Sequence, residues 1–256
     1  MHFRQKDIEP HEYFINFCSK CSLLCHQPYI WPQKMVMAES RILDARGLLK
    51  YLFVLSGLAF VFTIPCWFTQ RYAFNTWLNK FHSPAADYFF FCITYLGDGI
   101  VYLAIVIGLL LMRRFKWILA VAMLAVIQTT ICQVLKNLVF GGMPRPSRVI
   151  PEEIWSTLHT VKGVTIHGFN TFPSGHTMTA FALVWFLILH IKLAPAAKAG
   201  MLLIAVLVGI SRVYLLQHFY IDVVFGAVLG IFSAKLTQWL FYKYSLRQGW
   251  QLVHAV

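Results

Sequence analysis

The chain has 256 residues, room for one domain and little for two, and 59% of them are apolar while only 12% are charged. That is about half the charge of a soluble protein, which excludes an ordinary soluble domain and points to an integral membrane protein. A net charge of +12 would suggest nucleic acid in a soluble chain, but here the basic residues flank apolar stretches; membrane topology and anionic lipid account for them, and no nucleic-acid partner is expected.

Residues 1–47 are polar and irregular, and too charged for a secretory signal peptide. They are expected to form a cytoplasmic leader that is disordered or not native, because Met35 and Met37 offer later starts just before a basic segment. Cys18, Cys21, Cys25 and His26 have the outline of a zinc cluster, but no second ligand pair follows at a finger-like distance. No metal is therefore assigned.

Six apolar stretches follow, at about 48–68, 85–112, 115–140, 173–192, 196–216 and 219–242. Open strands cannot satisfy their backbone in lipid, so an all-α, six-helix membrane bundle over 48–245 is expected, with a short tail at 246–256. The second stretch is about 42 Å long as a helix, more than a vertical crossing of about 30 Å needs. Gly97-Asp98-Gly99 interrupts it, and Asp98 reads as a polar cap at a bend. In the third stretch Gln128, Gln133 and Lys136 are expected to face the bundle interior. A polar loop rich in Gly and Pro fills 141–172, and Pro173 reads as the first helical position of the fourth span.

Three polar clusters fall at the same ends of their helices. They are Lys136 with Arg145-Pro146 (KNLVFGGMPRP), FPSGH at 172–176, and SRVYLLQHFYID at 211–222. Spans three and five end, and four and six begin, on that side. Each cluster alone has a plain explanation: a snorkelling lysine, a loop, a helix cap, a buried salt bridge. Together they supply Lys136, Arg145 and Arg212, two histidines, one carboxylate and a helix N-terminus at Ser174-Gly175. Backbone N–H groups at such a terminus suit an anion, and arginine forks suit a phosphoryl group. If the last helix begins near His218, Asp222 stands one turn later and can hold the second imidazole nitrogen.

The order of these clusters resembles the type-2 phosphatidic acid phosphatase superfamily, whose pattern is K-x6-RP, PSGH and SR-x5-H-x3-D. Pro173–His176 and Ser211, Arg212, His218 and Asp222 match in full, while eight residues rather than six separate Lys136 from Arg145. The resemblance covers about 81–242. It implies a metal-independent lipid phosphatase that needs no cofactor: His218 attacks phosphorus, Asp222 orients it, and His176 protonates the leaving oxygen. Lys136, Arg145, Arg212, Ser174 and Gly175 would hold the phosphate oxygens. Isoprenoid diphosphates, lipid A, phosphatidic acid and phosphatidylglycerophosphate all present the required head group. The alternatives are a vanadate-dependent peroxidase, a glucose-6-phosphatase-like enzyme with more spans, and a non-catalytic transporter or scaffold.

Only seven of the 22 Lys and Arg residues fall on the motif side: Arg71, Lys80, Lys136, Arg145, Arg148, Lys162 and Arg212. With Arg113-Arg114-Lys116 in a short loop on the other side, both termini are expected in the cytoplasm and the site outside, facing the periplasm of a bacterial inner membrane.

Overall fold

Ser83 shows how this chain starts a helix. Its extended backbone (φ −159°, ψ 158°) and its side chain, which accepts from the Ala86 N–H at 3.2 Å, cap a helix whose first residue is Pro84. The computed structural model describes residues 45–64 and 69–247. These form α1 (Ala45–Thr63), α2 (Ala73–Asn79), α3 (Pro84–Ile93), α4 (Ile100–Leu111), α5 (Phe115–Val134), the short α6 (Pro146–Val149) and α7 (Glu152–Trp155), α8 (Gly175–His190), α9 (Pro195–Tyr214) and α10 (Tyr220–Arg247). All described residues belong to one compact unit, and among them there is no strand, only an isolated bridge between Pro144 and Phe169. The leader up to Asp44, with Cys18, Cys21, Cys25 and His26, lies outside the described residues, as does the chain beyond Arg247.

The protein is an all-helical membrane bundle. α5 with its extension to Val139, α9, and Tyr220–Ser245 of α10 are long and apolar enough to cross a bilayer. α3 and α4 make a fourth crossing as a pair bent by 60°. At the two remaining expected positions stand shorter apolar helices, Phe53–Thr63 within α1 and Gly175–His190. Apolar side chains such as Phe53, Leu111, Val126, Leu138 and Leu203 point outward, as a lipid surroundings requires.

The bend has a local cause. Gly97 closes a 3-10 turn, Thr94–Gly97, and a Cβ there would lie 2.5 Å from the His176 carbonyl oxygen. Only glycine lets the turn come that close to α8. Asp98 then caps α4 by accepting from the Ile100 N–H at 3.1 Å, as its sequence context indicates.

Helix α10 packs most extensively against α8 through small residues at helical spacing. Gly226, Gly230 and Ala234 line one face of α10, and a Cβ on Gly226 would sit 2.7 Å from the Ser174 carbonyl oxygen. Close backbone approach of this kind gives dispersion contact where lipid removes the hydrophobic drive between helices. Farther along, Ala182, Leu183 and Phe186 of α8 join Ala234 and Phe241 of α10 and Leu124 of α5 in the main core.

Two expectations need correcting. Gln128 is buried and accepts a long 3.5 Å hydrogen bond from Thr179, but Gln133 is exposed and accepts from Asn137 Nδ2 at 3.1 Å. Five residues along a helix turn it by about 140° relative to Gln128, out of the bundle. Pro173 is not the first residue of its helix either. Ser174 is the N-cap of α8, and Pro173, joined to Phe172 by a cis peptide, precedes it. The Ser174 N–H donates to the Asp222 carbonyl at 3.0 Å, so this residue is held in extended geometry across to α10.

Candidate active site

The site is built where α5 and α9 end, α8 and α10 begin, and the 141–172 loop folds over them. After α9 the chain reverses through Leu216, which has a left-handed φ of +55°. The Arg212 carbonyl accepts from the N–H groups of both Gln217 (3.0 Å) and His218 (3.1 Å), closing the helix end. Six residues are therefore what brings His218 back beside Arg212. Helix α10 begins at Tyr220, so His218 stands before it rather than within its first turn, as the sequence reading supposed. The reason is Asp222, whose Oδ2 accepts from the Phe219 N–H at 2.9 Å; an acid at the third helical position capping this way fixes the helix start.

The two groups still meet. His218 Nδ1 is 3.6 Å from Asp222 Oδ2, and both side chains are buried. Thr171 donates its hydroxyl to the same Oδ2 at 2.5 Å and lies 3.5 Å from His218 Nδ1, which makes it a third member of the group. Burial pushes the His218 imidazole down to about 3; Asp222 opposes this, and Arg145 and Arg212 add to it. The ring is thus neutral at ordinary pH, the state a nitrogen nucleophile requires.

Lys136 lies in a π-helical turn, Leu135–Val139, closed by the Phe140 N–H on the Leu135 carbonyl at 2.8 Å. A π turn takes one residue more than an α turn, and Gly142 then reverses the chain at φ +77°. The segment from Lys136 to Arg145 thus runs through this π turn and the reversal at Gly142. Arg145 is buried and firmly held: Nε donates to the Phe169 carbonyl at 2.8 Å and Nη1 to the Gln217 carbonyl and side-chain oxygen at 3.2 and 3.1 Å. Burial lowers its pKa, against the pull of Asp222.

Arg212, also buried, donates from Nη1 to Thr94 Oγ1 at 2.8 Å, while its Nε has no partner among the described residues. The crowding of cations is felt at His167 in the overlying loop. Partial burial, then Arg145, Arg212 and Lys136, hold that imidazole below its ordinary value. Among the described residues no three His, Cys, Asp or Glu side chains gather as metal ligands would.

His176 is in the first turn of α8, with Nε2 3.8 Å from Asp98 Oδ2. Asp98 thus has a second role beyond capping, facing the histidine across the Gly97 turn. Of the expected backbone donors, the Ser174 N–H is engaged by Asp222, and its hydroxyl is 2.9 Å from that of Thr177. Gly175, the first residue of α8, keeps the position in which an N–H lacks an intrahelical partner.

The structure places His218, Asp222, Ser174, Arg212, Arg145 and Lys136 near one another and His176 against Asp98, with Gly175 following Ser174 in the chain, and it adds Thr171, Gln217, Thr94 and Asp98 to their surroundings. Thr171 and Gln217 adjoin the motifs in sequence, which was the available signal. Arg71, 3.7 Å from Asp222 Oδ1 and 4.2 Å from the Phe219 ring centre, and Asn75 reach the same centre from a part of the chain with no motif.

An all-helical membrane bundle with a buried histidine–carboxylate pair and the cations Lys136, Arg145 and Arg212 near it defines a class of membrane proteins with a charged site at one end of the bundle. The sequence profile described as the PAP2 superfamily matches residues 115–245. The chain belongs to that superfamily. It is 32% identical over 174 residues to the lipid A 4'-phosphatase of Bacteroides thetaiotaomicron, covering 64% of this chain and 72% of that one. It is also 37% identical over 109 residues to the probable lipid phosphate phosphatase 4 of Arabidopsis thaliana, covering 38% of this chain and only 35% of the plant protein. Among solved structures it is similar to LpxE of Aquifex aeolicus, with a TM-score of 0.53 and 27% identity over 64% of this chain and 92% of that one.

Proposed function

We propose that this chain is a metal-independent lipid phosphatase that works through a phosphohistidine. The observation that carries the reading is the Arg212 Nε: a buried guanidinium N–H without a partner among the described residues, with Arg145 and Lys136 near it and a neutral His218 close by. Buried donors of this kind are costly unless an anion takes them up. A phosphoryl group has the charge and the oxygen geometry to do so.

In this mechanism neutral His218 Nε2 attacks phosphorus, and Asp222 with Thr171 stabilises the cationic ring as the N–P bond forms. The P–O bond to the lipid breaks, and protonated His176 gives the leaving oxygen its proton. Water then attacks phosphorus, loses a proton to His176, and releases phosphate and the free His218. Lys136, Arg145, Arg212 and the Gly175 N–H balance the charge on the equatorial oxygens, the work a metal ion does in other phosphatases.

The substrate class is a lipid monophosphate or diphosphate: lipid A, a polyprenyl diphosphate, phosphatidic acid or phosphatidylglycerophosphate. The lipid A 4'-phosphatase and the probable lipid phosphate phosphatase carry members of that class in their names, and the charge bias of the loops, counted over six crossings, favours a site on the periplasmic side of a bacterial inner membrane. The test is phosphate release from these four lipids by purified protein with and without EDTA. Release from at least one lipid, unchanged by EDTA, is expected; no release from any of them, or release abolished by EDTA and restored by a divalent metal, overturns the reading.

A further inference from the structure

Helix α2 lies outside the residues that the superfamily profile matches, yet one face of it grips the nucleophile loop. Asn75 is fully buried on that face. Its Nδ2 donates to the His218 carbonyl at 3.0 Å and to the Val213 carbonyl at 3.3 Å. Four residues on, Asn79 uses both ends of its amide differently: it donates to the His159 carbonyl at 2.8 Å and accepts from the His159 N–H at 2.9 Å. Phe74 packs on Tyr220, the first residue of α10, with ring centres 5.1 Å apart.

His218 needs such a clamp. It sits between two helices and belongs to neither, just after a left-handed Leu216. Its N–H is tied to the end of α9 through the Arg212 carbonyl, and its C=O is tied to α2 through Asn75. With both main-chain groups fixed, the Cα–Cβ bond of His218 has one direction. The 3.6 Å separation from Asp222 leaves little slack, because a shift of well under 1 Å decides whether a hydrogen bond forms as charge develops on the ring.

We infer that Asn75 is a positioning residue for the His218 nucleophile, an inference that rests on the phosphatase reading above. It acts through the His218 backbone and contacts no phosphate. Its loss lowers the rate of phosphoryl transfer and leaves the cation cluster able to bind an anion.

The experiment compares full-length wild type, Asn75→Ala and Asn79→Ala in detergent, using the panel lipid that wild type hydrolyses fastest and inorganic phosphate as competitive inhibitor. Asn75→Ala is expected to lower kcat about 10- to 100-fold, as small misplacements of reacting groups do, with KM and the phosphate inhibition constant within about twofold. Asn79→Ala, which loosens the same helix one turn away, is expected to lower thermal stability to a similar degree while kcat stays within about twofold. Should Asn75→Ala fail to accumulate, Asn75→Ser takes its place; it keeps a donor in the cavity but is too short to reach both carbonyls. An Asn75 variant with unchanged kcat overturns the inference, as does equal loss of kcat in the two helix variants. If wild type releases no phosphate from any panel lipid, it is the phosphatase reading that fails.

Discussion

Thr171 and Asp222, 51 residues apart in sequence, share a 2.5 Å hydrogen bond on the carboxylate oxygen that faces His218. The threonine thereby sets which way the carboxylate turns. Phe219 N–H holds the same oxygen, so Oδ2 is fixed by two donors while Oδ1 makes no hydrogen bond among the described residues and has Arg71 at 3.7 Å. Thr171→Val keeps the shape and removes the donor. A hydrogen bond to a charged group contributes about 1.5–3 kcal/mol, so kcat should fall about 10- to 100-fold with little change in KM. Steady-state kinetics on the preferred lipid checks this, and unchanged kcat would show that Asp222 holds its place without the threonine.

The histidines should separate by step. His218→Ala is expected to abolish turnover while the protein still folds in detergent. His176→Ala, given a substrate with a good leaving group, should accumulate a phosphorylated intermediate because hydrolysis lacks its base. Mass spectrometry of the trapped protein should place the phosphate on His218. Label on any other residue would reverse the assignment of the nucleophile.

His218 also gives stability a pH dependence of definite sign. The folded protein holds this ring neutral down to about 3, whereas an unfolded chain takes up the proton near 6.5. Between those values the unfolded state binds more protons, so stability falls as pH falls through that window and is flat with respect to this group above it. Thermal unfolding in detergent from pH 8 to pH 4 should show the loss, and His218→Gln, which cannot titrate, should show a shallower slope. Equal slopes for the two proteins would count against the buried neutral ring.

Glycine packing between α8 and α10 predicts a purely structural lesion. A Cβ at Gly226 would press on the Ser174 carbonyl at 2.7 Å, and neither backbone can yield without moving the other. Gly226→Val should cost about 1–3 kcal/mol, the usual penalty of overpacking, and lower the melting temperature. Gly108, which has nothing within 4 Å of its added Cβ, is the matched control. Similar melting temperatures for Gly226→Val and Gly108→Val would mean that the helices part easily.

Topology can be read at the loop over the site. Lys162 is exposed, and its neighbour Gly163 has φ +83°, so the lysine is the better place for a probe. Lys162→Cys should react with a membrane-impermeant maleimide in cells whose outer membrane alone has been opened, above the background of the unmodified chain. Labelling that appears only after the inner membrane is lysed would put the site in the cytoplasm.

Composition and periodicity were enough for an all-helical membrane protein, because lipid leaves a helix few alternatives. The motif residues Lys136, Arg145, His176, Arg212, His218 and Asp222 were legible for a similar reason: charge at membrane depth is rare enough to stand out. The bend at Gly97 was visible as a break in an apolar run that was too long. Tertiary structure decided how those charges are used. It started α10 two residues later than the sequence suggested, since Asp222 caps its own helix, and it took the Ser174 N–H away from the anion and gave it to a carbonyl on α10. It also brought in Thr171, Gln217, Arg71 and Asn75. Asn75 reaches a carbonyl 143 residues away. A hydrogen bond between an amide and a backbone carbonyl leaves no trace in hydrophobic periodicity, so only the folded chain could reveal it.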